Sequence, residues 1–412
     1  MDITNPFRPG AGHAPPYLAG REAEKIEFSK LLDQQIILDN MVLTGLRGVG
    51  KTVLLETFKD PARQKGWRWV GTDLSETAST SEESLATRIL TDLSLISSGL
   101  LFSSSDRRTV GFVSSSETKQ IYLDYRTLHA LFDATPGLVA DKLKSVMEVV
   151  WACLSRSDPE AKGIIFAYDE AQTLSDQAEK EQYPLSVLLD VFQSIQRKGI
   201  PFMLVLTGLP TLFPKLVEAR TYAERMFRVV FLSRLSDKDS KKAIIRPLRD
   251  AGNPFDWDEG SILLIIKLSD GYPYFIQFIC REVFDLFVQQ AAQDLPLSVP
   301  VEAILRKLDN DFFQGRWSRA TDRQRDLLSV IAELPNCDAE FTVKEIVDHS
   351  KDSLKKPLKS SHVNQMLLSL GNNGLVYKNR HGRYSFAVPL LGKFIRRQRE
   401  KLRPNGQGEF GF

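Results

Sequence analysis

The stretch MVLTGLRGVGKTVLLETF, residues 41–58, places a glycine-rich segment between two apolar runs. Met41–Thr44 are typical of a short buried strand, and Thr52–Phe58 are typical of the start of an apolar helix. The residues that fit the pattern G-x-x-x-x-G-K-[ST] are Gly45, Gly50, Lys51 and Thr52. The stretch therefore predicts a strand, a tight loop and a helix in succession.

A loop that binds phosphate is what this pattern favours. Glycines lack a Cβ, so successive backbone N–H groups approach an anion closely, and the helix N-terminus adds unpaired amides. We expect Lys51 to reach the β- and γ-phosphates of a nucleotide and the hydroxyl of Thr52 to ligate Mg²⁺. A glycine-rich turn without a ligand is the alternative. The residues predicted to contact nucleotide here are Gly45, Arg47, Gly48, Val49, Gly50, Lys51, Thr52 and Val53.

The length of 412 residues predicts two or three domains. The composition, 42% hydrophobic and 26% charged, is typical of a soluble globular protein, and no apolar run reaches the length of a membrane span. The N-terminal residues lack the charged and apolar regions of a secretory signal. Three widely spaced cysteines argue against a disulfide framework or a zinc cluster, and they predict a reducing cytoplasm as the location.

The charge is distributed unevenly along the chain. Residues 316–412 contain 18 Lys and Arg against 10 Asp and Glu, a balance of +8, whereas the whole chain carries +2. A basic C-terminal region on an acidic remainder is typical of a protein whose basic end contacts a polyanion. A solvated basic face is the alternative, and charge alone does not decide between the two.

Short apolar segments that end in polar residues alternate with helical segments in the first half of the chain. Beyond the first strand, the predicted strands lie in residues 66–75, 163–174, 200–210 and 227–236. This alternation predicts an α/β fold in which helices cover both faces of a parallel sheet. Because ligands bind beyond the carboxyl ends of parallel strands, we expect the polar strand ends to meet at the edge that carries the phosphate loop.

The chain is predicted to contain five segments. They are an extended arm at 1–19, a P-loop core at 20–236, a helical lid at 237–315, a winged helix at 316–400 and a flexible tail at 401–412. Within the core, the Ser-rich segment 101–120 is expected to be a mobile surface loop that contains a small hairpin. A partner-binding insertion is the alternative for this segment.

Two acids follow the apolar strand GIIFAY at positions 169 and 170. ATP hydrolysis needs one carboxylate in the Mg²⁺ shell and a second that polarises the attacking water. We expect Asp169 to bind the metal together with Thr52, and Glu170 to act as the base. Thr207 ends the next strand, where it is expected to hydrogen-bond the γ-phosphate or the water. Satisfying the backbone at the turn before Gly208 is the alternative role for Thr207.

These features together resemble the AAA+ ATPases. The segments YLAGREAEKIEF, DEAQ, TGLP, AERMFRVVFLSRLS and SDGYPYFIQFI are similar to the bacterial and archaeal branch near the origin-recognition and STAND-type ATPases. The resemblance covers about residues 14–310. It implies a parallel-sheet core with an all-helical lid, ATP or ADP with Mg²⁺ as ligands, and assembly into homo-oligomers.

The resemblance also implies roles for individual residues. The family's N-terminal linker brackets the adenine, and the matching residues here are Tyr17, Leu18, Gly20 and Arg21. The family's arginine finger reaches the γ-phosphate of a neighbouring subunit, and it matches Arg225, with Arg220 and Arg228 as close competitors. Lys51, Thr207 and Arg225 would thus assist the base Glu170 in hydrolysis.

The lid departs from the pattern of many relatives at one position. Where those relatives place a second sensor arginine, this chain has Tyr274. The sequence GYP therefore resembles the STAND-type lid, which contacts nucleotide through a proline turn, here at Pro273. This departure favours a slow nucleotide switch over fast hydrolysis.

The basic C-terminal region predicts a winged helix. Residues 322–334, 342–350 and 360–374 have the spacing of amphipathic helices, and 375–389 alternate as a two-stranded hairpin. Small polar side chains on the third helix are suited to base edges or phosphates, and cations on the wing are suited to the DNA backbone. The predicted DNA contacts are Lys359, Ser361, His362, Asn364, Gln365, Lys378, Arg380 and Arg383. A winged helix that contacts protein is the alternative.

The function predicted from the sequence is an ATP-dependent switch of low turnover that binds duplex DNA. Its oligomeric assembly or its binding to DNA is expected to change with the bound nucleotide. No membrane partner is expected. The rival hypothesis is a STAND-type regulatory or defence-system scaffold whose winged helix, or whose segment 101–120, binds a protein partner.

Overall fold

The computed structural model describes residues 4–10, 12–75, 77–102, 121–252, 255–380 and 382–401. The chain forms two compact units, each built from segments that are separate in sequence. The core unit contains Arg21–Gly45 and Lys51–Leu232, and the C-terminal unit contains Met1–Gly20, Leu46–Gly50 and Ser233–Phe412. Most of the Ser-rich segment with its predicted hairpin (103–120) and most of the predicted tail (402–412) lie outside the described residues. The five segment boundaries stay predictions.

A five-stranded sheet lies at the centre of the core unit. The strands of this unit are β1 (Asn40–Gly45), β2 (Trp67–Val70), β3 (Leu101–Phe102), β4 (Ile121–Tyr122), β5 (Gly163–Tyr168), β6 (Phe202–Gly208) and β7 (Phe227–Leu232). The sheet has the order β2-β5-β6-β1-β7 with every pair parallel, and β3 and β4 form a separate antiparallel pair. Strands β1, β5 and β6 are buried along their whole length, and their central residues are uninterrupted apolar runs, as expected for strands covered on both faces. The predicted α/β class with a parallel sheet is confirmed.

The helices of the core unit lie before and between its strands along the chain. They are α1 (Glu22–Leu32), α2 (Lys51–Thr57), α3 (Lys59–Gln64), α4 (Glu82–Ser97), α5 (Tyr125–Ala134), α6 (Val139–Ser157), α7 (Pro184–Arg197), α8 (Leu212–Ala219) and α9 (Ala223–Met226). One apolar cluster joins α4, α6 and α7 to the central strands. Ser81 and Asp124 begin α4 and α5 by accepting a backbone N–H at the third position beyond the cap.

The C-terminal unit is helical apart from one small sheet. Its helices are α10 (Asp237–Asp250), α11 (Glu259–Ser269), α12 (Pro273–Ala292), α13 (Val301–Leu308), α14 (Gly315–Trp317), α15 (Asp322–Glu333), α16 (Val343–Ser353), α17 (Ser360–Asn372) and α18 (Leu391–Lys401). Its strands are β8 (Phe341–Thr342), β9 (Val376–Arg380) and β10 (Arg383–Phe386), in the antiparallel order β8-β10-β9. Three helices followed by a hairpin are the element order of a winged helix, as the sequence predicted.

The lid helices and the winged helix share one hydrophobic core within the C-terminal unit. Asp309–Gln314 form a π-helical turn that joins α13 to α14. In this turn the ring of Phe313 lies 6.1 Å from Phe275 of α12 and 5.0 Å from Phe394 of α18, between ring centroids. The buried carboxylate of Asp309 pairs with Arg397 of α18. Aromatic stacking and a charge-assisted contact therefore join the lid to the last helix of the winged helix.

Candidate nucleotide-binding site

The predicted phosphate loop connects the end of β1 to the start of α2. Gly48 and Gly50 have φ angles of 78° and 89°, a region that side chains with a Cβ rarely adopt. Lys51 is the first residue of α2, its side chain is buried, and Nζ donates a hydrogen bond to the carbonyl of Gly45 at 3.0 Å. The loop therefore has the glycine-dependent backbone and the inward lysine that a phosphate group requires.

Asp169 accepts hydrogen bonds from the hydroxyl groups of two other predicted site residues. Thr52 Oγ1 donates to Asp169 Oδ2 at 2.5 Å, and Thr207 Oγ1 donates to Asp169 Oδ1. The backbone N–H of Glu170 donates to the same Oδ1 at 2.8 Å. Asp169 is 3% exposed, so its carboxylate is held among these donors. The structure thus brings Thr52, Asp169 and Thr207 together at the carboxyl edge of the sheet, as the strand-end pattern predicted.

Glu170 lies at the same carboxyl edge of the sheet, but unlike Asp169 it is not buried. Its φ angle of 52° is left-handed, and its side chain is exposed. Gln172 Nε2 donates to Glu170 Oε2, and Gln172 Oε1 accepts the backbone N–H of Leu209 at 3.0 Å. The residue predicted to act as base therefore has one carboxylate oxygen bound by a glutamine that the sequence analysis did not select.

Asp73 is a second residue that the sequence analysis missed. It follows β2 and forms an isolated parallel bridge with Asp169. Burial raises the pKa of the Asp73 carboxyl, and the negative charges of Asp169 and Glu170 raise it further. The polar end of the segment GWRWVGTDLS was the available signal, because it is the same kind of strand end that led to Asp169. Within the described ranges, no three His, Cys, Asp or Glu side chains form a cluster suited to a metal.

The three candidate finger arginines have different surroundings in the core unit. Arg220 forms a forked pair with Asp190, with N–O distances of 2.8 and 2.7 Å, and Tyr222 Oη donates to the same carboxylate at 2.7 Å. Arg228 pairs with Glu27 at 2.6 Å. Arg225 is exposed, and its side chain has no ion pair or hydrogen bond among the described residues. Of the three, Arg225 is the side chain that no carboxylate of the described residues holds.

The tip of the phosphate loop contacts the first turn of α12 within the C-terminal unit. The backbone N–H of Tyr274 donates to the carbonyl of Gly48 at 3.1 Å. A Cβ built on Gly48 would lie 3.1 Å from Cβ of Tyr274, so a side chain there would be crowded as well as strained by its φ angle. Pro273 is the first residue of α12, and the ring of Tyr274 packs against Phe312 with centroids 5.2 Å apart. Tyr274 therefore meets the loop through its backbone.

For the other predicted nucleotide contacts, the structure gives burial and neighbouring side chains. Tyr17 and Leu18 are half-buried in the C-terminal unit, and the guanidinium of Arg246 lies 4.7 Å from the ring centroid of Tyr17. Arg21, in the core unit, is 4% exposed and pairs with Glu24 at 3.2 Å. In the loop and at its helix, Val49 is buried, Val53 is half-buried and Arg47 is exposed.

The predicted DNA contacts lie on one helix and one hairpin of the winged helix. Lys359 immediately precedes α17, and the exposed residues of the first two turns of α17 are Ser360, Ser361, His362, Asn364 and Gln365. Lys378 of β9 is exposed, whereas Arg383 of β10 is half-buried and lies 3.8 Å from Glu340. The side chain of Arg380 lies outside the described residues. Leu368, also on α17, is 69% exposed.

Comparisons with known proteins bear mainly on the fold. A family model described as a domain of unknown function (DUF8462) matches residues 310–395, and no curated protein matches the sequence. Among solved structures, the Walker-type ATPase PABY2304 of Pyrococcus abyssi is 17% identical over 92% of this chain and 96% of that chain, with a TM-score of 0.58. The ORC2 protein of Aeropyrum pernix in its ADP form is 14% identical over 95% and 97% of the two chains, with a TM-score of 0.53.

These two structures cover nearly the whole of this chain and of their own chains. At such low sequence identity the likeness establishes the fold. The fold expected from the sequence is confirmed: the chain shares the α/β P-loop fold of these two solved structures.

Proposed function

We propose that this chain is an ATP-binding and slowly hydrolysing molecular switch that binds duplex DNA through its winged helix. The observation that carries the nucleotide part is the convergence of Thr52 and Thr207 on the buried carboxylate of Asp169, together with the buried Lys51, whose Nζ donates to the carbonyl of Gly45. Such a set of groups is suited to a polyphosphate with a divalent cation.

Each group has a distinct chemical role in this proposal. The backbone N–H groups of the loop and the ammonium of Lys51 neutralise the phosphates of ATP. The hydroxyl of Thr52 and the carboxylate of Asp169 would hold Mg²⁺, which stabilises the charge of the phosphates. Glu170 accepts a proton from the attacking water, and Thr207 orients Asp169 through the hydrogen bond that it donates.

Slow turnover follows from two features of the chain. Tyr274 occupies the lid position at which many relatives of the resembled family carry an arginine, so one cation for the transition state is missing there. The remaining candidate, Arg225, is exposed and unpaired in the described structure, so we infer that it acts in a neighbouring subunit. Hydrolysis would then depend on assembly into a homo-oligomer.

DNA binding is supported by the position of cations and small polar groups on the winged helix. Lys359 and Lys378 are exposed, and neither is paired with a carboxylate in the described part of the chain. Exposed lysines bind phosphates mainly through charge, and Asn364 and Gln365 on α17 have the amide groups that read adenine in a major groove. The charge balance of +8 in residues 316–412 favours the same polyanion.

A protein partner is the second candidate for the winged helix. Leu368 lies one turn beyond Asn364 and Gln365 on α17 and is 69% exposed. An exposed leucine on an otherwise polar helix face is suited to an apolar pocket of a partner, although it also suits a thymine methyl group.

Retention of duplex DNA by the intact chain tests the proposal. With ATP and Mg²⁺ at low salt, we expect a fluorescent duplex to bind, and we expect Lys51→Ala to change that affinity because the switch cannot load nucleotide. Binding that is identical in both proteins would remove the nucleotide switch from the proposal. No binding at all would remove DNA as the partner and favour the protein-docking alternative.

A further inference from the structure

Gln172 connects the predicted base to the end of a neighbouring strand. Its amide nitrogen Nε2 donates to Oε2 of Glu170, and its Oε1 accepts the backbone N–H of Leu209 at 3.0 Å. Leu209 directly follows β6, the strand that carries Thr207. One side chain therefore spans from the carboxylate of Glu170 to the strand end whose threonine orients Asp169.

Gln172 is itself fixed at several points. A Cβ built on Gly208 would lie 2.5 Å from Oε1 of Gln172, so a larger residue at that position would displace the Gln172 amide. The ammonium of Lys215 donates to the carbonyl of Gln172 at 2.8 Å. Lys215 is half-buried, and burial lowers the pKa of its ammonium. Both the side chain and the backbone of Gln172 are thus held by the core unit.

Glu170 needs such support because little else restrains its side chain. The residue is exposed, and its φ angle of 52° places the side chain on a left-handed turn. A free glutamate loses considerable rotamer freedom when it is ordered. An amide that donates to one oxygen of the Glu170 carboxylate fixes the orientation of that carboxylate and leaves its other oxygen available to accept a proton.

We propose that Gln172 is a positioning residue for ATP hydrolysis, which rests on the function proposed above. Its amide holds Oε2 of Glu170 so that Oε1 accepts the proton of the attacking water. The water oxygen forms a bond to the γ-phosphorus as the bond from that phosphorus to the β–γ bridging oxygen breaks. The products are ADP and inorganic phosphate, and Glu170 carries the transferred proton until solvent removes it.

Gln172→Met tests this role, because methionine keeps the length of the side chain and removes its donor and acceptor. We expect kcat to fall about tenfold while the Kd for ATP is unchanged, because only the orientation of the base is lost. Gln177→Met is the matched control, since Gln177 is also half-buried in the segment between β5 and α7 and its side chain makes no hydrogen bond among the described residues. We expect the control to keep its kcat.

A double-mutant cycle separates positioning from structural support. If Gln172 acts through Glu170, then Gln172→Met lowers kcat in the wild-type background but not in the Glu170→Gln background. Gln172→Glu keeps an acceptor for Leu209 and places a carboxylate beside Glu170, so we expect it to lower kcat at least as much as Gln172→Met. This second variant also provides the test if Gln172→Met does not fold.

Three results would overturn the inference. They are an unchanged or increased kcat in both Gln172 variants, an equal loss in the wild-type and Glu170→Gln backgrounds, and a loss of ATP affinity that accounts for the whole effect. If Glu170→Gln alone keeps the wild-type kcat, the base assignment in the proposed function fails, and the inference fails with it. If Glu170→Gln is slow and the Gln172 variants are fast, only the inference fails.

Discussion

Thr44 and Thr207 provide a matched test of the hydrogen bonds that converge on Asp169. They lie near the carboxyl ends of the adjacent parallel strands β1 and β6, and they are 3% and 0% exposed. The hydroxyl of Thr207 donates to Asp169, whereas the buried hydroxyl of Thr44 has no hydrogen-bond partner among the described residues. Changing each threonine to valine keeps the shape of the side chain and removes only the hydroxyl.

The two substitutions should differ in their effects on the free energy of unfolding. A hydrogen bond to a charged group contributes about 1.5–3 kcal/mol, so we expect Thr207→Val to lower the stability of the core unit by about 2 kcal/mol. Thr44→Val removes a buried hydroxyl that lacks a partner, so it should leave the stability unchanged or raise it. For a unit of this size, about 2 kcal/mol corresponds to a decrease in Tm of about 4–8 °C.

Thermal unfolding at pH 7 without nucleotide, followed by tryptophan fluorescence, measures both effects. Trp67, Trp69 and Trp151 lie in the core unit and report on its unfolding. An equal decrease in Tm for the two variants, or a Thr207→Val protein as stable as the wild type, would show that the hydrogen bond to Asp169 does not stabilise the core unit. The same Thr207→Val protein should hydrolyse ATP more slowly, because Asp169 loses one of the donors that orient it.

Three further predictions concern the arginines and the winged helix. Asp190→Asn should lower the Tm at pH 7, and its difference in Tm from the wild type should shrink in thermal scans between pH 5 and pH 3. Burial alone would raise the pKa of the Asp190 carboxyl, but the hydrogen bonds from Arg220 hold that pKa below its usual range. The stabilisation by Asp190 is therefore present above the pKa of the unfolded chain and is lost as the pH falls through the lower pKa of the folded chain. Arg225→Ala should abolish the rise of ATPase activity per subunit with protein concentration while the Kd for ATP is kept, and an equal loss in Arg228→Ala would contradict its assignment as the finger. Changing Lys359 and Lys378 to Ala should make the slope of log K for DNA against log salt shallower by about two units, and an unchanged slope would show that these lysines do not contact phosphates.

The sequence was sufficient to predict the elements that depend on local patterns. Continuous apolar runs identified β1, β5 and β6, because strands buried on both faces need no alternation. The rule that strand ends meet at one edge predicted that Thr52, Asp169 and Thr207 would lie together. The structure confirms this convergence with direct hydrogen bonds.

The contacts that the sequence could not supply are those between side chains far apart along the chain. Arg220 was indistinguishable from Arg225 as a candidate finger, and only the fold shows that Arg220 is paired with Asp190, thirty positions away. Gln172 was part of a motif, but its bond to Leu209 depends on how β5 and β6 are paired. The spacing of apolar residues in the sequence indicates which face of a helix or strand is buried. It does not indicate which polar groups the fold brings within hydrogen-bond distance of each other.

We claim that ATP binds to the phosphate loop, and isothermal calorimetry on the intact chain with Mg²⁺ measures this binding. Lys51 is buried beside the loop, whereas Lys59 in the next helix is half-buried and pairs with Glu56, so Lys59→Ala is the matched control. We predict that the wild type and Lys59→Ala bind ATP with equal Kd and that Lys51→Ala weakens binding at least tenfold, because the phosphates lose their cation. Wild-type affinity in Lys51→Ala, or no binding of ATP by the wild type, would contradict the claim.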